Sequence, residues 1–314
     1  MKFISPKKLR ELGVLGMNRR NVNYIARCNP RSRFPLVDNK LKTKHVAQEH
    51  GMAVPELYGV VSFQYQIRDL LQLLDGLESF VIKPVQGSGG KGILVIAARR
   101  GEEFIKSTGG VLSFSEIKRH VSNILSGLYS LGGRPDTVMI EALIDFDEYL
   151  VNYSYEGVPD IRVIVYTGVP VMAMLRCSTH ASDGKANLHQ GAVGVGLDIV
   201  TGCSRYAVQN ERRVSRHPDT GYSFEHLSIP HWETILELAS GCYEMTGLGY
   251  FGADLVLDRN RGPVILELNA RPGLAIQIAN QAGLRRRLEM VDKQLQPSMN
   301  KHARIALSKS LFAH

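Results

Sequence analysis

Apolar and polar positions along the chain predict strands in adjoining pairs with helices between them. From Ser79 to Pro84 the residues alternate, Phe80 and Ile82 toward one side, Val81 and Lys83 toward the other, which is the period of a strand. A glycine-rich stretch follows, and a second strand is expected over Ile93–Ala97. Ile161–Tyr166 and Val169–Leu175 read as a hairpin turning at Thr167-Gly168, and 250–258 with 263–269 as another. Helical spacing appears over 5–15, over 40–50 with Gly51 as its stop and Pro55 just beyond, and over 65–75, 114–131 and 231–246. Val138–Ile140 reads as a short buried strand, and the tail from Arg285 as helical. Residues 16–38, rich in Asn, Arg and Pro, are expected to run over the surface, and 178–196 to form a polar loop. Hairpins mixed with helices predict an α+β fold with mainly antiparallel sheet.

Composition narrows the class. The 314 residues are 44% hydrophobic, enough for a substantial core in two domains or lobes. No apolar run reaches the roughly 18 residues that span a bilayer, and the first residues, MKFISPKKLRELG, are charged where a signal peptide needs an apolar centre. A cytoplasmic protein without a membrane partner is the expectation. The four cysteines are scattered and form no CxxC pair, so neither a zinc site nor a disulfide framework is indicated. The net charge of +8 is concentrated early, from Lys2 to Lys40, and again at Arg285-Arg286-Arg287. Such a surface attracts nucleic acid, nucleotides or acidic substrates equally, or is simply solvated.

Three constellations carry candidate chemistry. In the last hairpin Glu267 and Asn269 stand two apart on a strand and share a face. A turn centred between Asn260 and Arg261 would place Asp254 directly opposite Glu267. Facing carboxylates repel unless neutralised, and a hard cation such as magnesium does that through oxygen ligands. An ordinary surface hairpin is the competing reading. The second is QGSGGKG, 86–92, whose glycines would let backbone amides approach phosphate oxygens. It lacks the Walker pattern and runs into a strand, so a plain hairpin loop competes. Lys83 just before it sits among apolar residues, where an ammonium needs an anion; a phosphate would serve. The third is Asp160-Ile-Arg162, with Arg176 on the partner strand, suited either to anion binding or to a structural pair. Lys185, Asn187 and His189 offer a cation, an amide and an imidazole close together.

Taken in order, DNKLKTK (38–44), VIKPVQGSGGKG (81–92), IEALI (140–144), DIRVIV (160–165), KANLHQG (185–191), GADLVL (252–257) and ILELNARPGL (265–274) resemble the ATP-grasp superfamily, and within it the RimK-like α-L-glutamate ligases. The resemblance spans about 38 to 280. It implies an ATP-grasp fold, two α+β lobes clasping ATP. A reduced N-terminal remnant would occupy 1–38, the lobes 39–143 and 144–290, and a tail 291–314. It implies ATP and two magnesium ions, or manganese in their place. Lys40 and Lys83 would contact the phosphates, and Gly87, Ser88, Gly89 and Gly90 would close as a lid. Glu141, Ala142 and Leu143 would line the adenine, and Asp160 would face the ribose, with Glu148 as rival. Lys185 and Asn187 would lie near the γ-phosphate. Asp254, Glu267 and Asn269 would hold the metals, Glu267 bridging. Arg162, Arg271 and Lys185 would be catalytic, the two arginines holding the substrate carboxylate and the acyl phosphate.

The activity so implied is ATP-dependent joining of a carboxylate to an amine, with glutamate or a similar amino acid added to an amino-acid or peptide acceptor. A basic enzyme suits an acidic substrate. A non-catalytic nucleotide binder, a nucleic-acid association and a homo-oligomer stay open. The chain departs from RimK sequences in three places. Only about 38 residues precede the first lysine assigned to ATP, Lys40, about ten extra residues lie near 145–158, and Ala270-Arg271 stands where small residues are expected.

Overall fold

The structure, a computed structural model, describes residues 4–87 and 89–313. They fall into two units, each with its own sheet and core.

The smaller unit comprises Asn39–Lys44 and Val54–Asp145. Its strands are β1 (Leu57–Val61), β2 (Phe80–Pro84), β3 (Leu94–Arg100), β4 (Glu103–Lys106), β5 (Val111–Leu112) and β6 (Val138–Glu141). Among the described residues they form one sheet in the order β1-β6-β2-β3-β4-β5, antiparallel throughout. The expected strand–loop–strand around the glycines is the β2–β3 pair. The helix Phe114–Leu125 begins at a capping box of Ser113 and Glu116 and buries Ile117, Val121, Ile124 and Leu125, a helical stripe, against Phe80, Ile82, Ile96, Phe104 and Ile140. It ends at Leu125, short of the expected 131. Gly127 adopts φ +86° where a Cβ would lie 2.3 Å from the Arg134 carbonyl oxygen, so the chain turns there. The expected helix over 65–75 is a 3₁₀ stretch, Gln64–Asp69, running into the single turn Leu70–Leu73.

The larger unit comprises the residues up to Asp38, His45–Ala53, and the chain from Phe146 on. Its strands are β7 (Asp160–Tyr166), β8 (Val169–Cys177), β9 (Val193–Leu197), β10 (Ser204–Gln209), β11 (Arg212–Val214), β12 (Tyr250–Asp258) and β13 (Gly262–Asn269). Their order is β11-β10-β9-β8-β7-β12-β13. Both expected hairpins are present, β7–β8 and β12–β13. The helix Trp232–Thr246 packs on β7, β8, β12 and β13, and the helix Lys301–Phe312 on β8.

Two expectations are corrected. Residues 193–197, read as loop, are the fully buried β9. Val193, Val195 and Leu197 carry a strand pattern, but the intervening glycines hid it, since glycine weakens strands in general. Here the glycines make room: a Cβ on Gly194 would meet Leu188 at 2.6 Å, and one on Gly196 the Ala279 carbonyl oxygen at 2.2 Å. The N-terminal stretch also differs. Pro6–Glu11 is helical but buries none of its residues, so it has no core face. Residues 17–38, expected to wander, form short helical pieces including a π-helical Arg20–Ile25, and bury Tyr24, Ile25, Asn29 and Val37. Tyr24 packs edge-on to Tyr166 at 5.5 Å and beside Tyr250 at 5.9 Å. Asn29 works like an added strand residue: its amide donates to Tyr250 O at 2.6 Å and accepts from Tyr250 N at 2.8 Å.

Gly196→Ala should lower unfolding free energy by about 1–3 kcal/mol, because a carbonyl oxygen cannot yield to the added methyl. Gly273→Ala, with nothing within 4 Å of the added Cβ, should change it by no more than about 0.5 kcal/mol. Urea midpoints of the two variants would decide; equal midpoints would refute the packing account.

Candidate functional site

In the smaller unit charged groups converge at the end of β2. Val81 pairs directly with Glu141 of β6, so Lys83, two residues on, is the diagonal neighbour of Glu141 on the same face. The Lys83 ammonium rests on Glu141 Oε1. Lys44 Nζ lies 2.8 Å from Glu141 Oε2 and also donates to the Pro55 carbonyl. Side-chain exposures are 4% for Glu141, 5% for Lys44 and 7% for Lys83, so two ammonium groups share one carboxylate out of water. This corrects the sequence argument about Lys83: its burial is already compensated by a carboxylate of the protein. Glu141 is the residue that does so, and Ala142 and Leu143 beyond it are buried and half-buried, with Ala142 N bonded to Glu56 O.

Lys40 is one helical turn before Lys44, at a spacing that puts both on one side of their helix. Its ammonium donates to Gly87 O at 2.6 Å, the first glycine of the loop. Gly89, Gly90 and Gly92 all have φ between +64° and +76°, and the space around Gly89 and Gly90 is open. A loop with positive φ at successive glycines can turn its amides toward an anion. Ser88, expected with them, lies outside the described residues.

In the larger unit the sheet carries a row of charge. Arg162 of β7 pairs across to Asp254 of β12, and Asp254 to Glu267 of β13. The next row toward β8 is Asp160 opposite Arg176. The rows on either side, such as Leu175–Ile161–Leu255–Ile265, point to the opposite face and are wholly apolar. Asp254 is fully buried. It accepts from Arg162 Nε at 2.7 Å and Arg162 Nη2 at 2.5 Å, and from Arg176 Nη2 at 2.8 Å. Arg176 also donates to both oxygens of Asp160. Burial pushes the Asp254 carboxyl up, but the two guanidinium groups outweigh it and hold the group down at about 2. At Asp160, burial and then the Asp254 charge push upward against Arg176.

The facing of Asp254 and Glu267 is as expected from the sequence, but by a different route. The turn is one residue tighter, with Asp258 opposite Gly262, and a bulge between Asp254 and Leu255 on β12 leaves Leu266 as the extra residue of β13. The bulge restores the pairing and brings Glu267 and Asn269 onto the face of Arg162. What neutralises the carboxylates is also corrected: for Asp254 it is two arginines. A magnesium ion therefore fits two of the three expected ligands better than the third. Glu267 and Asn269 are half-buried and share a face, and supply a carboxylate and an amide oxygen, donors that suit a hard cation completed by phosphate and water. Both Asp254 oxygens accept from guanidinium groups. Among the described residues no group of three or more His, Cys, Asp or Glu is placed to hold a metal.

Other expected site residues stand apart from this row. Arg271 is half-exposed, its guanidinium 4.6 Å over the Phe34 ring and 4.0 Å from Asp38, while its backbone N donates to Asn269 Oδ1 at 2.8 Å. Lys185 pairs with Asp183 at 2.9 Å on the β8–β9 connection, and Asn187 Oδ1 caps the turn Leu188–Gln190 by accepting from His189 N. Glu148, the rival to Asp160, pairs with Arg259 at 3.2 Å. Lys44 and Asp136 escaped the sequence reading. Lys44 was signalled by its four-residue spacing from Lys40. Asp136 had no signal, since its contacts are long-range. No helix among the described residues is long and apolar enough to cross a membrane.

A family model described as sugar-transfer associated ATP-grasp matches residues 19–293. A probable alpha-L-glutamate ligase of Maridesulfovibrio salexigens is 23% identical over 270 residues, 84% of this chain and 66% of that protein. A second, from an Enterobacter strain, is 23% identical over 236 residues, 75% of this chain and 56% of that protein. The chain thus spans under two thirds of the length of each curated relative. Among solved structures, a RimK domain ATP-grasp protein from Sphaerobacter thermophilus is similar at a TM-score of 0.47 and 12% identity, covering 83% of this chain and 69% of that one.

Glu141→Ala should destabilise the protein by about 3–5 kcal/mol, because it removes the buried carboxylate that Lys83 and Lys44 share. Adding Lys83→Met should recover part of that loss. Urea denaturation of both variants checks this; a loss under about 1 kcal/mol for Glu141→Ala would contradict the shared-carboxylate arrangement.

Proposed function

The chain belongs to the sugar-transfer associated ATP-grasp family, and on that premise we propose that it is an ATP-dependent carboxylate–amine ligase. The observation that carries the reading is the Arg162–Asp254–Glu267 row with Asn269 beside it, an anion- and cation-handling row flanked by apolar rows. A carboxylate oxygen of the donor attacks the γ-phosphorus of ATP, the bond to the β–γ bridging oxygen breaks, and ADP leaves. The acceptor amine then attacks the acyl carbon of the acyl phosphate, loses a proton, and releases phosphate as the amide forms. No step needs a covalent link to the protein. Placement and charge stabilisation are the protein's contributions.

The roles divide between the units. Lys40 and Lys83, with the backbone of Gly87, Gly89 and Gly90, meet the phosphates. Glu141 holds the Lys83 ammonium in place, and the backbone at Ala142 and Leu143 lines the base. Glu267 and Asn269 hold magnesium, which offsets phosphate charge when bound. Asp254 and Asp160 fix the arginines. Arg162 keeps its Nη1 edge for the reacting carboxylate or phosphoryl oxygens, and Arg271 takes the substrate carboxylate. Lys185 and Asn187 serve the γ-phosphate from their loop. The glutamate ligase relatives make glutamate the first donor to try. Amino acids and peptides are the acceptors to test.

One observation favours a second reading, a nucleotide binder without ligase activity: both Asp254 oxygens are already engaged by guanidinium groups. A magnesium-dependent ADP-release screen over pairs of carboxylates and amines separates the two. Ligase activity predicts release that requires both partners. Glu267→Ala should then cut turnover at least ~100-fold with an unchanged thermal midpoint, and retained turnover in that variant would overturn the assignment.

A further inference from the structure

Resting on the reading that loop 86–92 covers nucleotide phosphates, we infer that Asp136 and Ser130 at one end, and His120 and Tyr129 at the other, are positioning residues that clamp this loop over the nucleotide. None of the four touches substrate in this account; they act through the loop. Asp136 is buried, 5% exposed. Its carboxylate accepts from Gln86 N at 3.1 and 3.0 Å, from Thr137 N at 2.7 Å and from the Ser130 hydroxyl at 2.7 Å. Ser130 in turn forms a strand-like bridge with Gly87. The first two residues of the loop are therefore tied to the connection that follows the helix Phe114–Leu125. Lys40 holds Gly87 O from the other side.

The far end is tied to the same helix and connection. His120 Nε2–H donates to Gly92 O at 3.0 Å. The Tyr129 ring covers Gly92 so closely that a Cβ there would lie 2.6 Å from the ring, and Gly92 has φ +76°. The His120 and Tyr129 rings are 5.6 Å apart. Between these ties Gly89 and Gly90 have nothing within 4 Å of an added Cβ. The loop is thus tied at both ends, with open space at Gly89 and Gly90.

A tight hairpin between β2 and β3 would not need this. Those strands already pair from Phe80–Ile96 to Ile82–Leu94, and a buried carboxylate is a costly way to fix a turn unless its donors must be held in place. The arrangement suits a span of amides that must meet a phosphate chain at a fixed height. It also places the loop under the control of Lys40, the residue proposed to reach the same phosphates.

The test needs no knowledge of the acceptor. Binding of ATP with magnesium is measured by calorimetry, and trypsin cleavage at the exposed Lys91 is followed with and without nucleotide. For the unaltered protein, binding and nucleotide-dependent protection of Lys91 are expected. Asp136→Asn, and separately Ser130→Ala and His120→Gln, should weaken binding about tenfold or more and abolish the protection, with the nucleotide-free thermal midpoint little changed. Should Asp136→Asn fail to fold, the other two variants carry the test. Normal affinity and protection in the folded variants would overturn the clamp and leave the ligase proposal standing. A lowered midpoint with protection retained would reduce these residues to structural supports and overturn it equally. Failure of the unaltered protein to bind nucleotide would remove the ligase proposal and the clamp with it.

Discussion

Arg162 and Arg176 meet Asp254 on β12 of the seven-stranded sheet, where no water reaches the carboxylate. Moving a lone carboxylate to such a place costs several kcal/mol even after relaxation. Three charge-assisted hydrogen bonds from two guanidinium groups offset that cost, and Arg176 is itself balanced by Asp160. The pairing dictates much else. Three strands must keep a register that sets Arg162, Asp254 and Glu267 in line, and β13 needs its bulge to do so. The neighbouring rows must be apolar to bury the other face. With Asp254 held by arginines, Glu267 and Asn269 are the oxygen donors at the edge of the network.

The smaller unit solves a related problem with the charges reversed. There one buried carboxylate, Glu141, serves two ammonium groups. A lysine held this way has little freedom to move, which is what a group that must meet a phosphate requires. In both units the charged side chains lie on strands or on the first turn of a helix, and rigid elements hold them more firmly than loops would. Lys185 and Asn187, on the β8–β9 connection, and Arg271, just past β13, are exceptions.

The segment before Asp38 takes on more than the sequence suggested. Asn29 pairs with β12 as a strand residue would, Tyr24 fills a place between Tyr166 and Tyr250, and Arg20 donates to Pro272 O at 2.8 Å. Phe34 and Asp38 meet Arg271 two residues after Asn269. The sequence reading placed this segment on the surface because its Asn, Arg and Pro residues match no period. Its buried contacts are single residues with distant partners, a pattern that composition does not reveal.

By itself the sequence determined the elements whose periodicity is local: the alternation that makes β2 and the β7–β8 hairpin, the capping box and apolar stripe of Phe114–Leu125, and the motifs that match the ATP-grasp family. It also led to Asp254 opposite Glu267, but through a turn one residue too long; the observed register depends on the bulge at Leu266, which no periodicity announced. Tertiary structure decided which charge answers which. The anion for Lys83 is Glu141 and the countercharge for Asp254 is arginine, because strands far apart in sequence bring those groups within bonding distance. It decided that Val193–Leu197 is a strand, because the space its glycines leave is filled by Leu188 and Ala279. And it joined the Asp136 carboxylate to the backbone N–H of Gln86, fifty residues away, by bonds that no spacing along the chain encodes. Periodicity reports what a segment buries; only the packed chain reports what it is buried against.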